Sequence, residues 1–474
     1  MKKFVFSLSL FCVLSTFSQN SYNVKDFSKF VDTLDLKKSV YYLASESMKG
    51  RFTGEEGQKQ AASFIKSQFA SFGLKSLEKF PNYTQSFTLK KSSPNILELS
   101  INGNKLVNNQ DFLFAGELNM EKKLSESSKY IDFKNINNTT KDNVYGKTVF
   151  VDQSFLNSKA YMKLSQMQPL AVFVLLENSI KNFNATYKTS GDLGGEKEPY
   201  LTHLDEKERS KLTPLFYIDK SVWSKVLNGK RKNKFKVDFV VQRKEEIVET
   251  ENVLGFIEGS ESKDEFIVIS AHYDHIGFKD KVIWYGADDN ASGVAAVLEL
   301  AKAFTIAKRL GHAPKKSILF VAFTGEEQRG MLGSTYFVKE SGIKINQIIT
   351  NLNIDGVGRI APEYFDFEDY VYLIGSDKIS KRLHDLSEDC NKKYVNLTLD
   401  YTYNEDTHPE QVYYRSDQWS FAQHGIPVIF YFGGLTDDYH MPTDTADKIN
   451  YKTLKKRTQL VFYTAYFLGM GHKL

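Results

Sequence analysis

The chain has 474 residues, more than the ~250–300 at which a single hydrophobic core stops growing, so two domains are expected. Hydrophobic residues make up 41%, charged residues 25% and aromatic residues 14%, a composition that excludes extensive disorder. Lys and Arg (62) nearly balance Asp and Glu (58), and no basic block with interleaved aromatics is present to track a phosphate backbone, which argues against a nucleic-acid partner.

The first residues read as an export signal. Lys2 and Lys3 supply the positive start, residues 4–14 the apolar run, and Thr16 and Ser18 the small residues before a cut. Residues 1–18 are expected to be removed, giving a periplasmic or secreted protein that begins near Gln19. The apolar run is shorter than the ~20 residues of a membrane span, and the bulky Phe11 before Cys12 departs from lipid-attachment signals. No later stretch is apolar enough to span a bilayer, and the mature chain keeps only Cys390, so it forms no internal disulfide.

From residue 24 to 80 the pattern is helical, most clearly over 58–72, where Ala61, Ala62, Phe64, Ile65 and Phe69 recur at three- and four-residue spacings before Gly73. Residues 95–242 change texture. Short β-rich runs at 96–101, 148–151, 171–176, 215–218 and 235–241 are separated by polar, Asn- and Lys-rich loops, which predicts a β-rich domain inserted between 19–94 and 243–474. After Thr250, strand-like runs at 266–270, 317–323, 348–354, 370–374 and 426–431 alternate with helices over 292–308, near 334–340, near 379–390 and over 451–468. That alternation predicts an α/β fold, a mixed but largely parallel sheet with helices on both faces.

Acidic and histidine residues gather just beyond the predicted strand ends, where open α/β sheets bind ligands. His272 offers an imidazole, and Asp274 two residues on can orient that ring from behind. Asp288 and Asp289 precede an apolar helix and suit either a cap or a ligand. Glu326 and Glu327 are consecutive, so their side chains diverge and can take different jobs, one on a metal and one facing substrate. Asp355 ends a strand, and His440 sits in Asp438-Tyr439-His440-Met441-Pro442-Thr443-Asp444. Each alone is unremarkable. As a set of imidazoles and carboxylates without thiolate they suit a catalytic zinc site, and a shared carboxylate suits a two-metal arrangement.

His272-Tyr273-Asp274, Gly286 to Gly293, Thr324 to Glu327, Asn353-Ile354-Asp355 and Tyr439-His440 occur in an order and spacing that resembles the co-catalytic di-zinc aminopeptidase family, which includes secreted bacterial aminopeptidases, glutamate carboxypeptidase-like enzymes and glutaminyl cyclases. Gly50-Arg51-Phe52-Thr53-Gly54 and the helix after it extend the likeness, and residues 95–242 resemble that family's protease-associated insert. The resemblance implies one zinc ion on His272, Asp289 and Asp355 and another on Asp289, Glu327 and His440, with Asp289 as bridge. It implies Glu326 as general base and Tyr413, three residues before Ser416-Asp417, as the hydroxyl that steadies the oxyanion. Gln418 departs from the His that relatives often carry there. The implied activity is an exported aminopeptidase acting on peptides. Its rivals are a carboxypeptidase or dipeptidase on the same two metals, with Arg359 or Arg415 holding a substrate carboxylate, and a non-catalytic receptor-like relative.

Overall fold

A computed structural model describes residues 22–115, 126, 127, 129–131, 139–155, 163, 164, 166–180, 200–202, 213–227, 235–279, 281–328 and 330–474. The expected export signal lies outside these residues. The principal strands, numbered in chain order, are β1 (Thr84–Ile101), β2 (Phe112–Ala115), β3 (Thr148–Asp152), β4 (Ala171–Leu175), β5 (Leu215–Ile218), β6 (Lys236–Ile257), β7 (Ser262–His272), β8 (Lys316–Phe323), β9 (Ile348–Asp355), β10 (Tyr370–Ile374), β11 (Thr398–Asp400) and β12 (Val428–Phe432). The principal helices are α1 (Val24–Ser28), α2 (Thr33–Leu43), α3 (Glu56–Phe72), α4 (Gly293–Arg309), α5 (Leu332–Glu340), α6 (Lys381–Cys390) and α7 (Tyr451–Gly469).

The large sheet runs β11-β10-β12-β9-β7-β8-β6-β1. Its middle is parallel, with β7 paired to both β8 and β9 and β9 to β12, while β6 against β8 and β10 against β12 are antiparallel. Parallel strands are covered on both faces, so they read as continuous apolar runs, and residues 266–272 of β7 are all buried. Alternate residues of β8 serve opposite layers. Ile318, Phe320 and Ala322 pack with Leu36, Ile65, Val294 and Leu460 of α2, α3, α4 and α7, and Leu319, Val321 and Phe323 pack with Phe337 of α5 and Phe421. The predicted helices on both faces are thus observed.

Local chemistry sets several element ends. Asp32 caps α2 by accepting from the Leu34 and Asp35 amides, and α3 stops at Gly73 in the left-handed conformation that closes helices. The first and last helices meet, with Ser28 Oγ and Tyr463 OH 2.7 Å apart across 435 residues of chain. Among the described residues no helix is long and apolar enough to cross a membrane.

The region expected to be an insert holds its own five-stranded sheet, in which β2, β5, β4 and β3 are successive neighbours. Its core is aromatic, with Phe112, Phe114, Phe150, Phe173 and Phe216 against Phe235 and, from β6, Val237 and Phe239. The expected boundaries at 95 and 242 do not interrupt the backbone. β1 and β6 pair antiparallel from Thr84↔Val253 to Ile101↔Val237, with one register shift between Pro94 and Ile96, so a continuous ribbon passes from the large sheet into the insert. The polar stretch 243–250 conceals this in sequence, although Lys90 and Lys91 lie opposite Ile247 and Glu246 and charges of both signs line the ribbon.

Gly57 gives a test of packing against propensity. It lies in the first turn of α3, where Ala would gain ~1 kcal/mol of helix propensity over Gly, but a Cβ there would stand 1.7 Å from the Met48 carbonyl oxygen. Gly57→Ala is expected to destabilise the protein by about 1–3 kcal/mol through overpacking. A thermal melt in which it is neutral or more stable would show that the 46–51 turn yields.

Candidate metal centre

β7, β8, β9 and β12 run the same way, so their C-terminal ends converge on one edge of the sheet. His272 is the last residue of β7, Asp355 the last of β9, Glu326 and Glu327 follow β8, and the 286–292 loop precedes α4. His440 enters after β12 with φ +56°.

The structure brings His272, Asp289, Glu326, Glu327, Asp355 and His440 together. His272 Nε2 stands 3.2 Å from Asp289 Oδ1, 3.3 Å from Asp355 Oδ1 and 3.8 Å from Glu326 Oε2. His440 Nε2 stands 3.1 Å from both Asp289 Oδ2 and Glu327 Oε2. The two oxygens of Asp289 therefore face different histidines. Asp288, its neighbour, turns its Oδ1 to the Gly358 amide at 2.5 Å. Ligands ~2.0 Å from a tetrahedral metal are ~3.3 Å apart, close to the observed edges, and His272 Nε2 is buried with no hydrogen-bond partner. Nitrogen and oxygen donors at these spacings fit zinc.

Electrostatics mark the same cluster. Burial lowers the pKa of His272, but Asp355, Glu326 and Asp289 outweigh it and drive the pKa well above the imidazole range. His440 behaves likewise, with burial opposed by Glu327, Tyr439 and Asp289. Burial would raise Asp289, yet the neighbouring histidines 272 and 440 hold it well below the carboxylate range. Glu327 falls to about 2, with burial and Asp289 overcome by His440 and His275. Glu326 moves the other way, raised well above its ordinary value by burial together with Glu327 and Asp355 against the opposing His272. The two adjacent glutamates are thus driven apart.

Surrounding groups fix the donors. Ser416 Oγ donates to Asp355 Oδ2 at 2.7 Å and accepts from Asn353 Nδ2 at 2.9 Å. The Asp444 carboxylate accepts from the Asp288 and Asp289 amides at 3.0–3.1 Å, anchoring the bridging loop. Arg51, fully buried, donates to the carbonyls of Leu43, Tyr273, Tyr285 and Gly286, tying the β7 exit to the start of that loop. Arg51 and Asp444 were not singled out as functional from sequence. The glycine and arginine of Gly50-Arg51 were the only signal.

The contacts of Asp274 and Tyr413 differ from those expected. The Asp274 carboxylate is 3.8 Å from His272 Nδ1 and accepts instead from Thr53 Oγ1 at 2.8 Å and the Glu326 amide at 3.3 Å. The nearer contact to Nδ1 is the Asp274 main-chain oxygen at 3.3 Å, and the carboxylate braces the Glu326 turn. Tyr413 does not face the cleft. Gln418 Nε2 donates to its carbonyl, and its ring packs against Tyr414 and Trp419 with Lys378 over it. Tyr439 lines the cleft instead, stacked on His440 at 3.9 Å, and its hydroxyl accepts from Arg415 Nη2 at 3.1 Å. The cleft has acidic members Asp288, Asp289, Glu326, Asp355 and Asp444 and an apolar wall of Val412, Phe430, Phe432 and Leu435. Arg359 is not among its lining residues and pairs with Asp438 at 2.6 Å.

Because metal binds neutral imidazole, the raised pKa values of His272 and His440 have a consequence. In the metal-free protein the surrounding carboxylates favour the protonated rings, so zinc uptake displaces protons. Zinc affinity should strengthen as pH rises, and calorimetric titrations in buffers of different ionisation enthalpy should show net proton release. Heats that do not change with the buffer would contradict this.

Residues 252–465 match the model of Peptidase family M28. Among curated relatives, the chain is 28% identical over 222 residues to "Probable glutamate carboxypeptidase VP8" of Zea mays, covering 44% of this chain and 28% of that one. The chain thus spans roughly a quarter of the length of that relative. Among solved structures, an aminopeptidase from Aneurinibacillus sp. strain AM-1 superposes with a TM-score of 0.63 at 18% identity over 95% of this chain and 97% of that one. BSAP, a zinc aminopeptidase from Bacillus subtilis, gives 0.57 at 18% over 94% and 96%. These likenesses share the fold, and the sequence match falls on the segment that carries every proposed metal donor. Over residues 252–465, somewhat under half of the chain, the sequence is similar to Peptidase family M28.

Proposed function

We propose that the chain is an exported, zinc-dependent aminopeptidase that works with two zinc ions and removes N-terminal residues from peptides. The observation that carries the aminopeptidase reading is the sign of the cleft. Asp288, Asp289, Glu326, Asp355 and Asp444 line it, and its basic member, Arg415, already donates to Glu410 Oε2 at 2.8 Å and to Tyr439. Two zinc ions would offset Asp289 and Asp355, and the rest of the lining leaves Asp288 and Asp444 toward an α-ammonium while offering a substrate carboxylate only the already paired Arg415. The carboxypeptidase reading keeps one support, the name of the plant relative.

His272, Asp289 and Asp355 would hold one ion and Asp289, Glu327 and His440 the other. Zinc held there supplies Lewis acidity and lowers the pKa of a water at the site. Glu326, 3.8 Å from His272 Nε2 and not needed as a ligand, takes the proton of the attacking water and returns it to the departing amine. With Arg415 donating to its oxygen, the Tyr439 hydroxyl keeps its own proton to offer the developing oxyanion. The β-rich insert is assigned as a protease-associated domain, supported by its place in the chain and its separate sheet.

Fluorogenic aminoacyl substrates compared with N-blocked dipeptides bearing free carboxyl ends test the reading. Hydrolysis of the first set alone is expected, abolished by chelator and restored by zinc. Cleavage of the second set alone would favour a carboxypeptidase, and neither cleavage nor bound zinc would point to the receptor-like alternative.

The glutamate pair separates base from ligand. Glu326→Gln should keep its zinc and thermal stability while kcat falls by ~10²–10⁴-fold. Glu327→Gln should lose or weaken one zinc and regain activity with added metal. Zinc content and kcat of both variants across a range of zinc concentrations decide the assignment, which is reversed if Glu326→Gln is the variant that sheds metal.

A further inference from the structure

His275 has no role in the mechanism above, yet it is fully buried against the centre. Its Nδ1 lies 2.5 Å from Glu327 Oε1, while the other oxygen of that carboxylate, Oε2, faces His440 at 3.1 Å. Its ring meets His440 edge-on at 5.9 Å between centroids. The neighbouring loop is shaped to admit it. Gly286 has φ +56°, and a Cβ there would fall 2.5 Å from His275 Cγ and Cδ2.

His275, Asp289 and Glu327 can be grouped as three potential ligands, but the distances separate two roles. Two ligands of one tetrahedral zinc stand ~3.3 Å apart. A nitrogen 2.5 Å from a carboxylate oxygen is at hydrogen-bond separation, and an ionised Glu327 only accepts. Nδ1 therefore carries the hydrogen and donates it.

We infer that His275 is a positioning residue for the second metal: its Nδ1–H occupies Glu327 Oε1, so that Glu327 presents Oε2 alone to the ion shared with Asp289 and His440. This rests on the two-zinc reading. A carboxylate held by one oxygen leaves a coordination position that a two-oxygen grip would fill, and catalytic zinc needs such a position for water. Partners of this kind hold ligands in orientation, and losing one costs ~10–100-fold in metal affinity.

The test exploits side-chain shape. Asn places an amide N–H near the position of His Nδ1, whereas Gln places it near Nε2, so both remain polar but only Asn can restore the donor. Metal-free wild type, His275→Asn and His275→Gln are titrated with zinc against a competing chelator, and the cobalt-substituted proteins are compared by visible absorption. Circular dichroism verifies that each variant is folded.

His275→Gln should bind one of two ions ~10–100-fold more weakly, with the other unchanged and the cobalt spectrum of the weakened site altered as Glu327 turns. His275→Asn should stay near wild type in both measurements. Wild-type affinity and spectrum in the Gln variant would overturn the inference, as would equal losses in Asn and Gln, the result expected of a direct ligand. If wild type binds fewer than two ions, the two-zinc reading falls and this one with it. If wild type binds two and the variants match it, the role of His275 alone is lost.

Discussion

Negative charge crowded into a nearly dry space is the condition to which the rest of this structure answers. Asp274, Asp288, Asp289, Glu326, Glu327, Asp355, Asp417 and Asp444 gather beyond the ends of the parallel strands, all of them buried or nearly so. Such groups cannot all ionise without cations. Part of the balance comes from His272 and His440, and part from the buried guanidinium of Arg51. Burial also lifts Asp444 to about 8, Asp417 to about 7 and Asp288 to about 6, so these carboxyls give up their protons at higher pH than ordinary aspartates. A pair of divalent cations would relieve the same imbalance, so the arrangement that is costly when empty is the one that makes metal binding favourable.

Holding mutually repelling groups in place requires anchors from outside the cluster, and these come from distant parts of the chain. Arg51 and Thr53 belong to a turn that precedes the 252–465 segment, yet the first grips the carbonyls at both ends of the 273–286 excursion and the second bonds Asp274. Asp444 draws the bridging loop down through its amides. The clustered histidines and carboxylates are thus supplied by the 252–465 segment, and their orientation is shared with the N-terminal segment.

Much of this was legible in sequence because strand ends are readable. A buried parallel strand announces itself as an apolar run, and a carboxylate or histidine just past it is placed on the functional edge, which located His272, Glu326, Glu327 and Asp355. The helix read over 58–72 was equally plain from its spacing, and it begins two residues earlier, at Glu56. What escaped depended on register. The pairing His272↔Phe323 brings His275 beside Glu327 across 52 residues, and nothing local distinguishes His275 from an ordinary surface histidine. Tyr413 was assigned by its distance from Ser416-Asp417, but Gln418 binds its backbone and Trp419 receives its ring, so Tyr439 faces the cleft. The ribbon through residues 84–101 and 236–257 was read as separate strands because its charged middle resembles a loop.

The contact between α1 and α7 bears on how the molecule is assembled over time. A chain made from its N-terminus exposes Phe27, with its apolar neighbours, long before Tyr466, which stacks with it, exists. Contacts of such sequence separation form late and slowly. The strands at 148–175 have partners close by in the chain, and the aromatic core drawn from residues 112–239 can close while the C-terminal half is still incomplete. Until the final helix arrives, the first helices are an unsatisfied apolar surface of the kind that chaperones shield, so loss of the last twenty or so residues would be felt first at the opposite terminus.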